Sequence, residues 1–315
     1  MVATKAGATL MGGAPVPLPA PAVLVTGASS GIGYATVMRL ARRGTIVFAG
    51  VRRQADAELV AREGGVNVRP LILDVTDSAS IARARTAVSR AQDVALAGLV
   101  NNAGVAVAGP LEILPLEALR RQFDVNFFAA IEMTQAFLPM LRETRGRIVN
   151  ISSIGGKLAA PFVGAYASSK FALEAASDAL RLELRPFGIA VVLVEPGAVK
   201  TPIWQRSAEA SLHVFDRVAS GAREPYAQMI DNVQRLSAKM DESGIPPERV
   251  AHVIERALFS AHPRARYLVG RDARVRLMVA RLPDGLRDRI VAAVVGSPKP
   301  PKPSREVAVA ATPAR

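Results

Sequence analysis

The 315-residue chain contains no cysteine. That absence excludes disulfides, thiolate metal sites and a cysteine nucleophile. It leaves the redox compartment open, because a protein without thiols is indifferent to it. Aromatic residues make up only 5% of the chain, with a single tryptophan, so aliphatic side chains must fill the core. Histidine is scarcer still: His213, His252 and His262 lie apart, and none is assigned to catalysis or to a metal. No charged residue occurs from Ala6 to Met38. Prolines 15, 17, 19 and 21 nevertheless break that stretch below the ~20 continuous apolar residues a spanning helix needs. A secretory signal starting at Lys5 would be cleaved near Ala22, hard against the first strand. Residues 1–20 therefore read as a disordered leader, and the protein as cytoplasmic.

What is present is ample core material: half the residues are hydrophobic and 21% are charged. The net charge of +13 invites a partner of opposite charge. Zinc-finger, basic-zipper and RNA-binding signatures are all missing, so nucleic acid is set aside. Part of the charge is local, with eight arginines against three aspartates between Arg264 and Arg289. That helical end (272–294) could rest on a membrane surface through Leu277, Val279, Leu282 and Leu286, or face solvent or another subunit.

Along the chain, short β-branched or aliphatic runs alternate with helical patterns. Strands are expected at 21–26, 45–49, 67–73, 96–100, 147–151, 189–194 and 266–269. Helices are expected at 31–43, 54–63, 77–92, 115–144, 163–185 and 247–260. Alternation of this kind implies βαβ units and an α/β fold, a Rossmann-type doubly wound parallel sheet. With no linker across 21–295, one domain is expected, with a helical lid at 200–245 and a flexible Pro-Lys-rich tail at 296–315. Ile203, Trp204, Leu212, Val214 and Phe215 of the lid could line an apolar pocket or pack as ordinary core.

Several motifs carry chemistry. Thr26-Gly27-Ala28-Ser29-Ser30-Gly31-Ile32-Gly33 stands between a strand and a helix, where glycines let the backbone approach a pyrophosphate and the helix offers its free N–H groups. After the second strand, Arg52-Arg53 occupies the place where an acid would bind the ribose of NAD. Arginines there favour the 2′-phosphate of NADP, unless they are solvated surface charges. Asp74-Val75 ends the third strand, placed to touch an adenine ring, and Asn101-Asn102-Ala103-Gly104 ends the fourth. Finally, Tyr166 and Lys170 lie one helical turn apart, on one face. A free phenol titrates near pH ~10. A neighbouring ammonium favours the phenolate, lowering that by roughly 1–3 units and creating an acid–base group. Ser153, at the end of the fifth strand, could hold a substrate oxygen in the same crevice.

Together these residues resemble the short-chain dehydrogenase/reductase family over residues 22–202. The carrying features are the Thr-Gly-x-x-x-Gly-x-Gly turn, Asn-Asn-Ala-Gly, the serine, Tyr-x-x-x-Lys and Pro196-Gly197…Thr201. The resemblance implies that Tyr166 is the acid/base, that Lys170 lowers its pKa and binds the nicotinamide ribose, and that Ser153 positions the substrate oxygen. It implies that Asn126 holds a water in a proton relay. Pro196, Gly197, Val199 and Thr201 would bracket the nicotinamide, and Ser30 and Arg52 would hold the 2′-phosphate. The extended C-terminus and Val-Glu-Pro-Gly-Ala-Val at 194–199 look like the retinol and hydroxysteroid dehydrogenase branch. The implied function is NADP-dependent interconversion of a lipophilic alcohol and its ketone or aldehyde, in a homodimer or homotetramer. Two alternatives are a 3-ketoacyl thioester reductase and a non-catalytic NADP sensor.

Overall fold

A computed structural model describes residues 19–203 and 224–296. Among the described residues seven strands form one sheet, in the order β3-β2-β1-β4-β5-β6-β7: β1 (Ala20–Thr26), β2 (Ile46–Val51), β3 (Val68–Ile72), β4 (Val94–Asn101), β5 (Arg147–Ile151), β6 (Ala190–Pro196) and β7 (Arg266–Val269). Every neighbouring pair is parallel. The helices between them are α1 (Gly31–Arg42), α2 (Gln54–Gly64), α3 (Ser78–Ser89), α4 (Leu116–Phe123), α5 (Ala129–Thr144) and α6 (Gly164–Glu183). They are followed by α7 (Ala227–Ser243), α8 (Pro247–Phe259), α9 (Arg271–Ala280) and α10 (Asp284–Val295).

Both faces of the sheet are covered, which is why its strands read as apolar runs rather than as alternation. Val23 and Val25 of β1 pack with α1 and α8 on one face; Ala22 and Leu24 pack with α3 and α5 on the other. Leu24, Leu99, Ile148 and Phe137 are fully buried, each contributing about 1.5–3 kcal/mol. The chain order reverses beside β1, where β2 lies on one side and β4 on the other. The crevice beyond the carboxyl ends of β1 and β4 is where ligands bind in such sheets.

Two expected helices are divided. The 115–144 stretch contains a π-turn, Asp124–Phe128, between α4 and α5. The Arg-rich end is two helices, because Pro283 directly precedes α10. Of the four apolar residues suggested for a membrane surface, Leu286 is exposed and Leu277, Val279 and Leu282 are half-buried. Among the described residues, no helix is long and apolar enough to cross a membrane. In the expected lid, α7 and Ile203 are described; Trp204, Leu212, Val214 and Phe215 lie outside the described residues.

Candidate active site

The glycine-rich turn is stitched to the end of β4. Thr26 Oγ1 accepts the backbone N–H groups of Asn102 and Ala103, each at 3.0 Å. The Asn102 carboxamide returns the contact, donating to the carbonyls of Thr26 at 2.9 Å and Gly27 at 3.2 Å. Asn102 thus shapes the turn through its side chain, with its N–H groups committed to the protein. Gly33 is packed so closely that a Cβ would overlap the Gly27 carbonyl and the Asn102 amide. The first turn of α1 carries no acidic residue, so nothing opposes its positive end. Ser29, Ser30, Gly31 and Ile32 are half-buried around it. A Cβ on Gly31 would stand 3.0 Å from the Thr201 methyl, so the Pro196–Thr201 loop closes over the same turn. A tight backbone cradle at a helix N-terminus fits a dinucleotide pyrophosphate.

At the end of β2 the two arginines separate in role. Arg53 is held by Asp56 through two contacts of 2.8 Å. Arg52 is exposed, and no ion pair to it is found among the described residues. Asp74 accepts from the backbone N–H of Thr76 at 3.0 Å and its hydroxyl at 2.7 Å. The Thr76 backbone contact holds the Asp74 carboxyl below its ordinary range, against the effect of burial and with help from Arg52 and Arg121. Val75, expected at the cofactor, has its side chain buried in the core with Leu73 and Ile81.

Ser153, Tyr166 and Lys170 converge beyond the end of β5. Ser153 begins a 3₁₀ turn and accepts from the Gly155 N–H at 3.0 Å. Its hydroxyl and the Tyr166 ring stand side by side against Gly155, where an added Cβ would meet them at 3.4 and 3.2 Å. Burial raises the pKa of Tyr166 above its ordinary value, and the bond from Ser153 pulls the other way. The ammonium of Lys170 lies 5.9 Å from the Tyr166 ring centre and donates to the Ile151 carbonyl at 2.8 Å. Burial lowers its own pKa to about 8, with Glu174 acting to raise it.

Asn126 sits in the π-turn and is 2% exposed. It grips Val105 twice: its Oδ1 accepts from the N–H at 2.9 Å, and its Nδ2 donates to the carbonyl at 3.0 Å. The same Nδ2 donates to Ser169 Oγ at 3.1 Å. Both amide hydrogens are thereby used, so the side-chain N–H groups cannot be what holds a water at this residue. The side chain instead ties the segment after Gly104 to α6.

Behind the site lies a charge cluster that sequence reasoning missed. Glu174, one turn beyond Lys170, and Glu195, just before Pro196, face each other at 4% and 2% exposure. Lys157 reaches them at 2.7 and 3.7 Å, and Arg266 at 3.3 and 3.1 Å. Arg266 also holds Asp178 at 2.6 Å, which Arg181 approaches at 3.0 Å. Burial and the Glu174 charge push Glu195 up to about 7, with Lys157 and Arg266 opposing. The i, i+4 spacing of Lys170 and Glu174 was the one signal available in the sequence.

The same organisation recurs in known proteins. The short chain dehydrogenase family model matches residues 21–211. An NADPH-dependent 3-dehydrocapnine reductase of Ornithobacterium rhinotracheale is 34% identical over 274 residues, 85% of this chain and 94% of that one. Human retinol dehydrogenase 16 is 35% identical over 283 residues, covering 88% and 89%. The crystal structure of a short-chain dehydrogenase from Streptomyces avermitilis superposes with a TM-score of 0.71 at 29% identity, covering 94% of this chain and all of that one. With its parallel sheet, glycine turn and Ser-Tyr-Lys convergence, this chain belongs to the short-chain dehydrogenase family.

Proposed function

We propose that the protein is an NADP-dependent oxidoreductase interconverting a lipophilic alcohol of the steroid, retinoid or long-chain type and its ketone or aldehyde. The observation that carries this reading is the convergence of Ser153, Tyr166 and the buried Lys170 at the carboxyl edge of a parallel sheet. When bound, NADP supplies or accepts a hydride at its nicotinamide ring. The remaining chemistry belongs to side chains. In the carbonyl-reducing direction the Tyr166 hydroxyl gives its proton to the substrate oxygen; in the reverse direction its phenolate takes it back. Ser153 holds that oxygen as charge develops on it. Lys170 would hold the nicotinamide ribose, and the α1 N-terminus the pyrophosphate.

Support for NADP comes from Arg52, which is left facing solvent while Arg53 is paired with Asp56. The name of the NADPH-dependent relative points the same way. Support for an apolar substrate comes from the retinol dehydrogenase likeness and from Phe162, Val107, Leu114 and Ala165, buried around the start of the Tyr166 helix. A subunit contact through α5 and α6 is supported by Phe171 and Leu182 of α6, large apolar residues 43% and 61% exposed.

The test is NADP- and NAD-linked turnover of steroid, retinoid and fatty alcohols and ketones, with Tyr166→Phe as control. The expected outcome is activity that prefers NADP and falls roughly 10²–10⁴-fold in the variant. Undiminished turnover by Tyr166→Phe overturns the acid–base assignment. Reduction of a 3-ketoacyl thioester in place of free ketones overturns the substrate class.

A further inference from the structure

The Pro196–Thr201 loop leaves the end of β6 and passes over the glycine turn of α1, yet nothing within the loop itself holds its shape. Its backbone is fastened from the last part of the chain. Gly197 donates its N–H to the Val269 carbonyl at 2.9 Å. Ile245 brackets the next stretch, donating to the Ala198 carbonyl and accepting from the Lys200 N–H, both at 3.0 Å. The Ala198 N–H goes to a side chain: Asp272 Oδ2 accepts it at 2.8 Å.

Asp272 stands in the first turn of α9, where the helix dipole favours a carboxylate. Two glycines make room for it. A Cβ on Gly197 would overlap both carboxylate oxygens, and a Cβ on Gly270 would stand 2.5 Å from Oδ1. Gly270 also holds φ +113, a backbone region open to glycine. The carboxylate is thus set between the end of β7 and the loop, and the next residue of the helix, Ala273, is fully buried.

We propose that Asp272 is a positioning residue for the nicotinamide half of the cofactor, acting through the backbone of the Pro196–Thr201 loop. This rests on the NADP reading above. A hydrogen bond to a carboxylate acceptor is among the stronger ones in a protein. Removing it frees the loop over the nicotinamide side of the crevice and leaves the pyrophosphate and adenosine contacts intact.

The test is equilibrium binding by calorimetry of two probes, NADP and 2′-phospho-ADP-ribose, which lacks the nicotinamide. Asp272→Ala is expected to weaken NADP roughly 10–100-fold, while 2′-phospho-ADP-ribose binds within about twofold of wild type. Asp272→Asn retains an acceptor oxygen and is expected to lie much nearer wild type for NADP. Gly197→Ala, which displaces the carboxylate from the other side, should reproduce the Asp272→Ala pattern and serves if that variant does not fold. Unchanged NADP affinity in Asp272→Ala or Gly197→Ala overturns the proposal. Equal loss of both probes also overturns it, since a general weakening of the fold would act on both. Failure of the wild-type protein to bind either probe rejects instead the cofactor reading on which the proposal rests.

Discussion

The buried carboxyl pair behind the site predicts an unusual dependence of stability on pH. Glu174 receives the shorter lysine contact, 2.7 Å against 3.7 Å for Glu195, so the proton that two facing carboxylates share falls to Glu195. Glu195 is accordingly pushed from 4.5 to about 7 on folding, first by burial and then by Glu174. A carboxyl whose folded pKa is raised binds its proton more tightly in the native state. Its stabilising contribution is therefore full below the unfolded value and is lost as pH rises through the folded one. Each pKa unit is worth about 1.4 kcal/mol. Between pH 5 and pH 8 the loss from this group is then on the order of 2–3 kcal/mol. For a domain of this size that is roughly a 5 °C fall in Tm. Lys170, lowered to about 8, works in the opposite sense, but mostly above that pH. The carboxyls held low, Asp74, Asp93, Asp178 and Glu255, act at more acid pH than this window. Glu195→Gln keeps the shape and the neutral form while removing the titration. Urea midpoints at pH 5 and pH 8 should separate clearly in the wild type and converge in the variant. An equal pH slope in both proteins would show that Glu195 does not hold the proton.

Two further substitutions probe the cofactor cradle. Arg52→Ala should lower kcat/KM for NADP by roughly 10–100-fold, the worth of a charge-assisted contact, while leaving the value for NAD nearly unchanged. A parallel loss with both cofactors would remove Arg52 from the 2′-phosphate. Gly33→Ala puts a methyl where the Gly27 carbonyl and Asn102 amide already stand, so the turn must shift. A loss of about 1–3 kcal/mol in unfolding free energy is expected, together with weakened NADP binding, and an unchanged denaturation curve would contradict the packing argument.

Much of this was legible in the chain itself, for identifiable reasons. Buried parallel strands are short aliphatic runs, and the expected limits of β5 and β7 coincide with those observed. Tyr166 and Lys170 were readable because helical spacing is local. The π-turn at Asp124–Phe128 was not, since its residues, Asp-Val-Asn-Phe-Phe, include neither proline nor glycine to mark an irregularity. Pro283 did mark the break between α9 and α10, and the apolar pattern running through it concealed the signal. The motif itself offered both Arg52 and Arg53, and only the family resemblance singled out Arg52; in the structure Asp56, three residues beyond Arg53, pairs with Arg53. Asp272 was out of reach, because the peptide it holds lies 74 residues earlier. Glu195 and Arg266 likewise meet only once β6 and β7 are side by side.

That last pairing has a bearing on how the chain becomes active as it is made. The glycine turn, Ser153, Tyr166 and Lys170 all emerge before residue 171, and six of the seven strands are complete by Pro196. The loop across the crevice acquires its holding partners only when Ile245, Val269 and Asp272 have followed. A nascent chain stopped short of β7 would carry Ser153, Tyr166 and Lys170 yet lack Val269 and Asp272, which hold the backbone of the Pro196–Thr201 loop. Domains form progressively as chains are synthesised, and here the docking of the final strand and the helix after it is the step that gives the Pro196–Thr201 loop the last of its backbone partners.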